Sequence, residues 1–383
     1  MKLNKNVICF TGGGTGGHIY PGLAVVDEIK SIFKKKYKQI NTIWIGCSKG
    51  MDSNIVSKAV DSDGNKSIDK FYGIPSGKLR RYFSMKNFSD VFKIIGGFFA
   101  ALFILKKEKP AVLFSKGGFV SVPPCLAAKI LKIPVYTHEC DFTLGLANRI
   151  NFKSAKKMFV SYEETKNNLP KEQKEKVIVT GNPVRPVFYN AQKSKGNAFL
   201  SIETHDKPIL LVLGGSSGAR QINQLVYDNI DFLCQKFYVV HQTGLVNTQQ
   251  NVSEELSKKF TDYHPYEFIY EQMPDVLCCS DIVLSRAGAN SIWEAAVMLK
   301  PMILIPLCGN GTRGDQVDNA RFFEQKDAAK VLVGKDADNN NLKEVLEAFL
   351  DEKERMKYSE NLKKMIFDKK PAQMIAEYIY ENL

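Results

Sequence analysis

The sequence predicts an α/β fold: two doubly wound parallel-sheet domains facing a cleft. Three observations carry that prediction. Short apolar runs alternate with stretches whose apolar residues recur at helical spacing. An apolar run leading into a glycine-rich turn and a helical pattern occurs twice, first at 7–24 and again from 209. Between the two copies, Gly181-Asn182-Pro183-Val184-Arg185-Pro186 breaks the pattern and a polar stretch, 190–197, follows. The expected organisation is a first domain over 1–184 and a second over 185–365. A C-terminal helix at about 366–383 is expected to pack back on the first.

In the first half, strands are expected at the apolar runs 7–10, 42–45, 111–114, 133–137, 158–161 and 177–180. Helices are expected at about 20–36, 52–60, 84–107, 123–131 and 144–156. In the second half, strands are expected at 209–213, 237–241, 267–270, 281–284, 302–305 and 330–333. Alternating strand and helix patterns mark a parallel sheet covered on both faces. Ligands of such open sheets bind outside the carboxyl ends of the strands.

The first of those ends is Val7-Ile8-Cys9-Phe10, followed by Thr11-Gly12-Gly13-Gly14-Thr15-Gly16-Gly17-His18. Glycine lets backbone approach a ligand closely, and the helix start beyond it offers N–H groups and a positive dipole end to an anion. His18 is the one side chain in the turn that can take a proton near neutral pH. Gly12, Gly14 and Gly17 also satisfy G-x-G-x-x-G. That fingerprint expects an acid at the end of the next strand, but Thr42-Ile43-Trp44-Ile45 runs into Gly46-Cys47-Ser48. A nicotinamide oxidoreductase is disfavoured on that ground.

The 383 residues, 44% of them apolar, are enough for two cores. Eight cysteines include no Cys-x-x-Cys pair, a reduced, cytosolic pattern rather than a disulfide or metal framework. The opening residues carry lysines, but the apolar stretch behind them is too short for a secretory leader. Residues 1–184 hold 30 Lys/Arg against 14 Asp/Glu, while residues 185–383 hold 23 against 27. The basic half therefore faces a polyanion, either nucleic acid or an anionic membrane. Nucleic acid is disfavoured: the half has no aromatic–basic interleaving and no helix-turn-helix signature.

Membrane contact has a specific candidate. The stretch 92–105 is nearly all apolar, and its uninterrupted part, 94–105, is 12 residues, against about 20 for a span. Lys78, Arg80, Arg81, Lys86, Lys93, Lys106, Lys107 and Lys109 flank it. It reads either as a core helix with a solvated basic flank, or as a helix laying its apolar edge on a bilayer.

In the second half, Gly214-Gly215-Ser216-Ser217-Gly218-Ala219-Arg220 repeats the opening turn, with the Ser216 hydroxyl added. Arg185 offers a planar, permanent charge for phosphate. Ser285-Arg286-Ala287-Gly288-Ala289-Asn290-Ser291-Ile292-Trp293-Glu294 opens another helix, with Glu294 able to accept from both hydroxyls of a ribose. The loop after 302–305 gathers Asp315, Gln316 and Asn319, groups that read sugar hydroxyls. Asp61-Ser62-Asp63 has the Asp-x-Asp look of a metal site but sits in a polar loop without a preceding strand. His205, His241 and His264 lack ligand spacing and read as solvated or core histidines.

Taken in order, these motifs resemble one family, the bacterial peptidoglycan N-acetylglucosaminyltransferases known as MurG. The matching stretches are Gly13-Gly14-Thr15-Gly16-Gly17-His18 with Pro21-Gly22, Lys116-Gly117-Gly118-Phe119-Val120-Ser121, and His138-Glu139. They continue with Gly181-Asn182-Pro183-Val184-Arg185, Gly214-Gly215-Ser216-Ser217-Gly218-Ala219-Arg220, Arg286-Ala287-Gly288-Ala289 with Glu294, and Asp315-Gln316 with Asn319-Ala320. The resemblance implies two Rossmann-like domains of the glycosyltransferase B type. It also implies inverting transfer of N-acetylglucosamine from UDP-N-acetylglucosamine to the muramyl 4-hydroxyl of lipid I, giving lipid II.

Carried over, the uracil lies by Ile269, the ribose on Glu294 and the diphosphate by Arg185 and Ser216. The sugar meets the Ala289 region and Gln316, with Asn290, Ser291, Ile292 and Trp293 also counted among the donor-binding residues. Thr15, Gly16 and Gly17 lie near the reacting centre, and His18 is the candidate base. Where many members read His-Glu-Gln-Asn, this chain has His138-Glu139-Cys140-Asp141, so Asp141 is a second candidate base. Where many have paired glutamines it has Asp315-Gln316. The implied enzyme needs no metal or other cofactor. It works peripherally at the cytoplasmic face of the membrane, held by its basic domain on anionic lipid. Rivals on the same fold are a UDP-sugar 2-epimerase and a glycosyltransferase acting on diacylglycerol.

Overall fold

The computed structural model describes residues 1–61, 63–77, 85–202, 206–215, 217–309 and 312–383, without the side chains of 85–88. Ser216, His205, Ser62, Lys78, Arg80, Arg81 and the Lys86 side chain lie outside the described residues. Two compact units form, Met1–Pro186 with Phe367–Leu383, and Val187–Ile366. Arg185, expected at the head of the second domain, belongs to the first unit because Asn182 and Val184 before it are buried there.

The first unit is built on a parallel sheet of β1 (Asn4–Thr11), β2 (Asn41–Cys47), β3 (Lys70–Ile74), β4 (Pro110–Ser115), β5 (Val135–Glu139), β6 (Lys157–Val160) and β7 (Val177–Val179). Their order is β3-β2-β1-β4-β5-β6-β7. Both faces are covered, which is why the strands read as continuous apolar runs. Ile8 and Phe10 pack with Trp44 and Phe114 on one face, while Val7 and Cys9 pack with Ile43 and Leu113 on the other. The first face is closed by the helix Tyr20–Lys35 and by the terminal helix Pro371–Glu381. The latter buries Ala372, Ile375, Ala376 and Ile379, and sets Tyr378 edge-on to Tyr136 at 5.8 Å. Strand β3 was not among the expected strands: it is a sheet edge, and Lys70 and Gly73 break its apolar pattern.

The second unit's parallel sheet contains β8 (Ile209–Leu213), β9 (Tyr238–Gln242), β10 (Tyr263–Tyr266), β11 (Ile282–Ser285), β12 (Met302–Leu304) and β13 (Ala329–Val331). The order is β10-β9-β8-β11-β12-β13. The strand expected at 267–270 forms four residues earlier. Tyr263 is what anchors it, buried in the core with its hydroxyl 2.9 Å from His241 Nδ1. Ile269 has left the ladder, and its N–H donates to Gln242 Oε1 at 3.0 Å.

In both sheets the strand order reverses beside the first strand, between β1 and β4 and between β8 and β11. The crevice outside the carboxyl ends at such a reversal is where this architecture binds ligands. The segments after these four strands are 12–19, 116–121, 214–215 with 217–219, and 286–288.

The helix Met85–Glu108 is mostly not core. Gly97, Ala101 and Leu105 face inward at intervals of four. Phe92, Ile95, Phe99 and Phe103 form an outward stripe at intervals of three and four, and Phe103 is 70% exposed. No helix of the described residues is long and apolar enough to cross a membrane.

Candidate active site

In the first unit the glycine turn is held from below by a buried acid. Gly14 adopts the left-handed φ of +83°, and its N–H donates to Asp52 Oδ1 at 2.9 Å. The other oxygen of Asp52 accepts from the Cys47 N–H at 2.8 Å. A side chain on Gly13 would collide with this carboxylate. An acid therefore does follow β2, in the first turn of the helix Asp52–Lys58, but it clamps the turn itself. The Gly14 N–H is engaged by Asp52, a second argument against dinucleotide binding.

His18 ends the short 3-10 turn Gly16–His18. Its ring rests on Gly118, where a Cβ would lie 2.9 Å from His18 Cδ2 and where φ is +78°. Only glycine permits both that backbone and that approach. Phe119 in turn packs on Gly14, and the Lys116 N–H joins Thr11 at 2.9 Å. The structure thus gathers Thr15, Gly16, Gly17 and His18 with the second glycine turn at the β1/β4 reversal. Thr15 is exposed and the other three are half-buried.

At the end of β5, Glu139 is a structural acceptor. Its oxygens take the N–H groups of Cys140 (2.9 Å), Asp141 (3.1 Å) and Gly145 (2.8 Å), and the Asn148 amide at 3.1 Å. Glu139, Cys140 and Asp141 lie close enough to suggest a metal site. The chemistry does not fit: Glu139 is committed to four donors, and burial pushes the Cys140 thiol up to about 12, away from the thiolate a metal needs. His138 is fully buried, and Nε2 donates to the Gly181 carbonyl at 3.0 Å. Burial, then the Lys116 charge, holds it well below the ordinary histidine range, so it is neutral and walled off from any reactant. Asp141 is half-buried on the loop that Glu139 organises. Arg185 sets its guanidinium over the Tyr20 ring, 4.7 Å from the centroid.

The second unit offers a complementary edge. Gly218 abuts Thr243 and Gly244, so tightly that side chains on Gly218 or Gly244 would collide. Arg286 ties three strand ends together. Its N–H reaches the Leu213 carbonyl at 3.3 Å, and its guanidinium donates to Gln221 at 2.9 Å and to the Ile305 carbonyl at 3.0 Å. Asn319, fully buried, donates to the Ala287 carbonyl at 3.3 Å. These contacts fix the start of the helix Ala289–Val297. Its first intrahelical donor is the Ile292 N–H, bonded to Gly288 at 3.1 Å. The N–H groups of Ala289, Asn290 and Ser291 precede that bond and point out of the helix start.

Not every residue expected in this stretch can meet a ligand through its side chain. Ile292 is fully buried and Trp293 packs edge-on against Phe323 at 5.5 Å, so both are core residues. Glu294 is half-buried one turn further on. Ile269 is buried at the end of β10, beside exposed Tyr270. Gln316 accepts the Leu307 N–H at 2.9 Å, which leaves its NH2 as the group able to donate to a hydroxyl. Asp315 pairs with Arg313 at 3.2 Å. His241 belongs to the core, between Tyr263 and Asn223, and burial takes it down to about 3. Asp61 folds its own loop by accepting from Asp63 and Asn65, and Asp63 pairs with Lys34.

Four residues carry more of the site than their motifs suggested: Asp52, Tyr20, Arg286 and Gly288. Gly288 has ordinary extended backbone (φ −69°, ψ 130°), and a Cβ there would meet nothing within 4 Å. Neither conformation nor packing within the unit requires glycine at this helix start.

The glycosyltransferase family 28 N-terminal domain matches residues 8–160 and the family 28 C-terminal domain matches residues 209–378. A relative from Treponema denticola, named UDP-N-acetylglucosamine–N-acetylmuramyl-(pentapeptide) pyrophosphoryl-undecaprenol N-acetylglucosamine transferase, is 49% identical over 97% of this chain and 96% of its own. A relative of the same name from Treponema pallidum is 42% identical over 98% and 96%. Among solved structures, MurG from Acinetobacter baumannii superposes with a TM-score of 0.70 at 22% identity, over 98% of this chain and 99% of that one. A UDP-GlcNAc 2-epimerase from Neisseria meningitidis shares the fold, with a TM-score of 0.64 at 16% identity over 99% of each chain.

Proposed function

We propose a function from one premise: the chain belongs to glycosyltransferase family 28, among the UDP-N-acetylglucosamine–N-acetylmuramyl-(pentapeptide) pyrophosphoryl-undecaprenol N-acetylglucosamine transferases. It transfers N-acetylglucosamine from UDP-N-acetylglucosamine to the lipid-linked muramyl-pentapeptide, the step from lipid I to lipid II. In this reading the second unit holds the donor and the first unit takes the acceptor.

Gly288 is the observation that carries the donor assignment. A glycine that the fold does not require, at a helix start opening on free space, supports close approach by a ligand. The N–H groups of Ala289, Asn290 and Ser291 meet the sugar-diphosphate, Glu294 accepts from the ribose hydroxyls, and Ile269 lies against the uracil. Gln316 donates to a sugar hydroxyl. Ser216 and Arg185 hold phosphate oxygens.

The acceptor's 4-hydroxyl attacks the anomeric carbon from the face opposite UDP. The new C1–O bond forms as the C1–phosphate oxygen bond breaks, and the configuration inverts. His18 takes the hydroxyl proton, with Asp141 as the alternative base. The charge that builds on the departing UDP falls on Arg185 and the helix starts. Fixed positive groups then do the work a metal ion does in other transferases, and chelators leave the rate unchanged.

The membrane reading rests on the outward stripe Phe92, Ile95, Phe99 and Phe103, with exposed Ile130 on the neighbouring helix Val122–Ile130. Laid on the cytoplasmic leaflet, the stripe enters the headgroup region and the surrounding lysines meet anionic lipid.

Substituting Gly288→Val tests the donor site. The expected outcome is a folded protein with modestly lowered melting, since a Cβ there meets open space while valine caps the helix less well than glycine, and affinity for UDP-N-acetylglucosamine reduced about tenfold or more by titration calorimetry. Unchanged affinity would remove the helix start from the donor site.

A further inference from the structure

We propose that Gln242 determines the donor's base: its side-chain NH2 donates to the 4-carbonyl oxygen of the uracil. This deepens the reading that the second unit holds the donor with Ile269 against the uracil, and it rests on that reading. Every residue involved lies in the second unit.

Gln242 is the last residue of β9 and stands level with Leu213, the last of β8. β8 lies between β9 and β11, and the helix start at Gly288 follows β11. Two strand spacings, about 10 Å, therefore separate Gln242 from that helix start. A ribose and one phosphate span such a gap, so a nucleotide with its phosphates at Gly288 brings its base to the end of β9.

The segment after β10 is laced back onto this end. The Thr243 N–H donates to the Tyr266 carbonyl at 2.8 Å and the Gly244 N–H to the Glu267 carbonyl at 3.0 Å. The third tie is the Ile269 N–H, which donates to Gln242 Oε1 at 3.0 Å. That bond settles the orientation of the amide. An N–H can be met only by the carbonyl oxygen, so the NH2 takes the other direction.

The Gln242 side chain is 4% exposed and pinned at its oxygen, so little freedom is left to it. Its NH2 makes no hydrogen bond with the described residues, nor is it sealed in the core. It is a donor held in one place at the carboxyl edge beside Ile269. Water satisfies it in the free protein, and a base that displaces the water must replace the acceptor or leave the donor unmatched. Uracil presents a carbonyl oxygen at position 4. Cytosine, nearly the same shape, presents an amino group there. A fixed NH2 accepts the first and opposes the second.

The test is titration calorimetry of the full chain with UDP and with CDP. The parent is expected to bind UDP about tenfold or more tighter than CDP. Gln242→Glu, measured at pH about 8, keeps an oxygen for the Ile269 N–H and puts a second acceptor where the NH2 was. Its preference is expected to vanish or reverse toward CDP. Gln242→Met removes the donor without adding an acceptor, and is expected to weaken UDP about tenfold while CDP changes by less than about twofold. Thermal melting checks that both variants are folded.

A residue that merely held Ile269 in place would give a different pattern. Gln242→Met would then weaken both nucleotides equally and Gln242→Glu would leave their ratio unchanged, and either result would overturn the inference. If the parent bound UDP and CDP alike, the placement of the uracil beside Ile269 would fall and the inference with it. If the parent discriminated and both variants kept its ratio, the inference alone would fall.

Discussion

His18 is the proposed base, with Asp141 as the alternative. Its ring sits on Gly118 at the β1/β4 reversal, while His138, the other histidine near that edge, is sealed in the core and neutral. Replacing His18 with alanine is expected to lower turnover by about 10²–10⁴ while calorimetry shows donor affinity intact. A collapse of donor affinity instead would make it a binding group. Asp27 gives a pH signature unrelated to catalysis. It lies on the helix Tyr20–Lys35 and accepts from Ser67 at 3.0 Å, and burial pushes it up to about 7. A carboxyl raised in the fold favours folding when protonated and opposes it when ionised, so its contribution is lost as pH rises through 7. Asp27→Asn should therefore stabilise the first unit at pH about 8, by roughly 1–3 kcal/mol in denaturant titrations, and the gain should vanish toward pH about 4. Asp52 shows what single residues conceal in a sequence. Its partner Gly14 is 38 positions away, and nothing local marks the acid as the clamp of a glycine turn.

The legible elements were those with a local cause. Strand, glycine turn and helix could be read at 7–24 and from 209 because turn residues and apolar period coincide there. Strand β10 was not, because the aromatic run 267–270 looks more strand-like than Tyr263-His264-Pro265-Tyr266, whose position is set by Tyr263 reaching His241 across the sheet. The stretch from Ala289 to Glu294 was read as one binding segment, yet a helix turns each successive residue through about 100°, so one segment faces several sides. Ile292 and Trp293 go to the core while the early N–H groups and Glu294 remain at the edge. The apolar run 92–105 left core and membrane readings open. In the structure Gly97, Ala101 and Leu105 turn inward at a period of four, while Phe99 and Phe103 are exposed. Phe99→Ser with Phe103→Ser should accordingly cut sedimentation with vesicles rich in phosphatidylglycerol about tenfold and leave thermal melting unchanged. Equal binding by this variant and the parent would remove the stripe from membrane attachment.

Across the whole molecule, charge and architecture divide the labour. The sequence puts its excess of lysine and arginine in residues 1–184, and the first unit also carries the apolar stripe and the His18 turn. The second unit, near neutral in net charge, carries the helix start at Gly288 and the carboxylate of Glu294. Both sheets reverse their strand order beside the first strand, so each unit presents its glycine turns at the carboxyl edge where this architecture binds ligands. That duplication was visible in the sequence as a repeated motif. The units divide after Pro186, with Phe367–Leu383 returning to the first; the expectation from the sequence was a boundary after 184 and a helix at about 366–383 on the first domain. The most direct test is to incubate the full chain with radiolabelled UDP-N-acetylglucosamine and a short-chain lipid-linked muramyl-pentapeptide, with and without EDTA. Label should move to the lipid with one UDP released per transfer, and EDTA should have no effect. UDP released without labelled lipid, or conversion of the donor to an epimer in the absence of acceptor, would contradict the account.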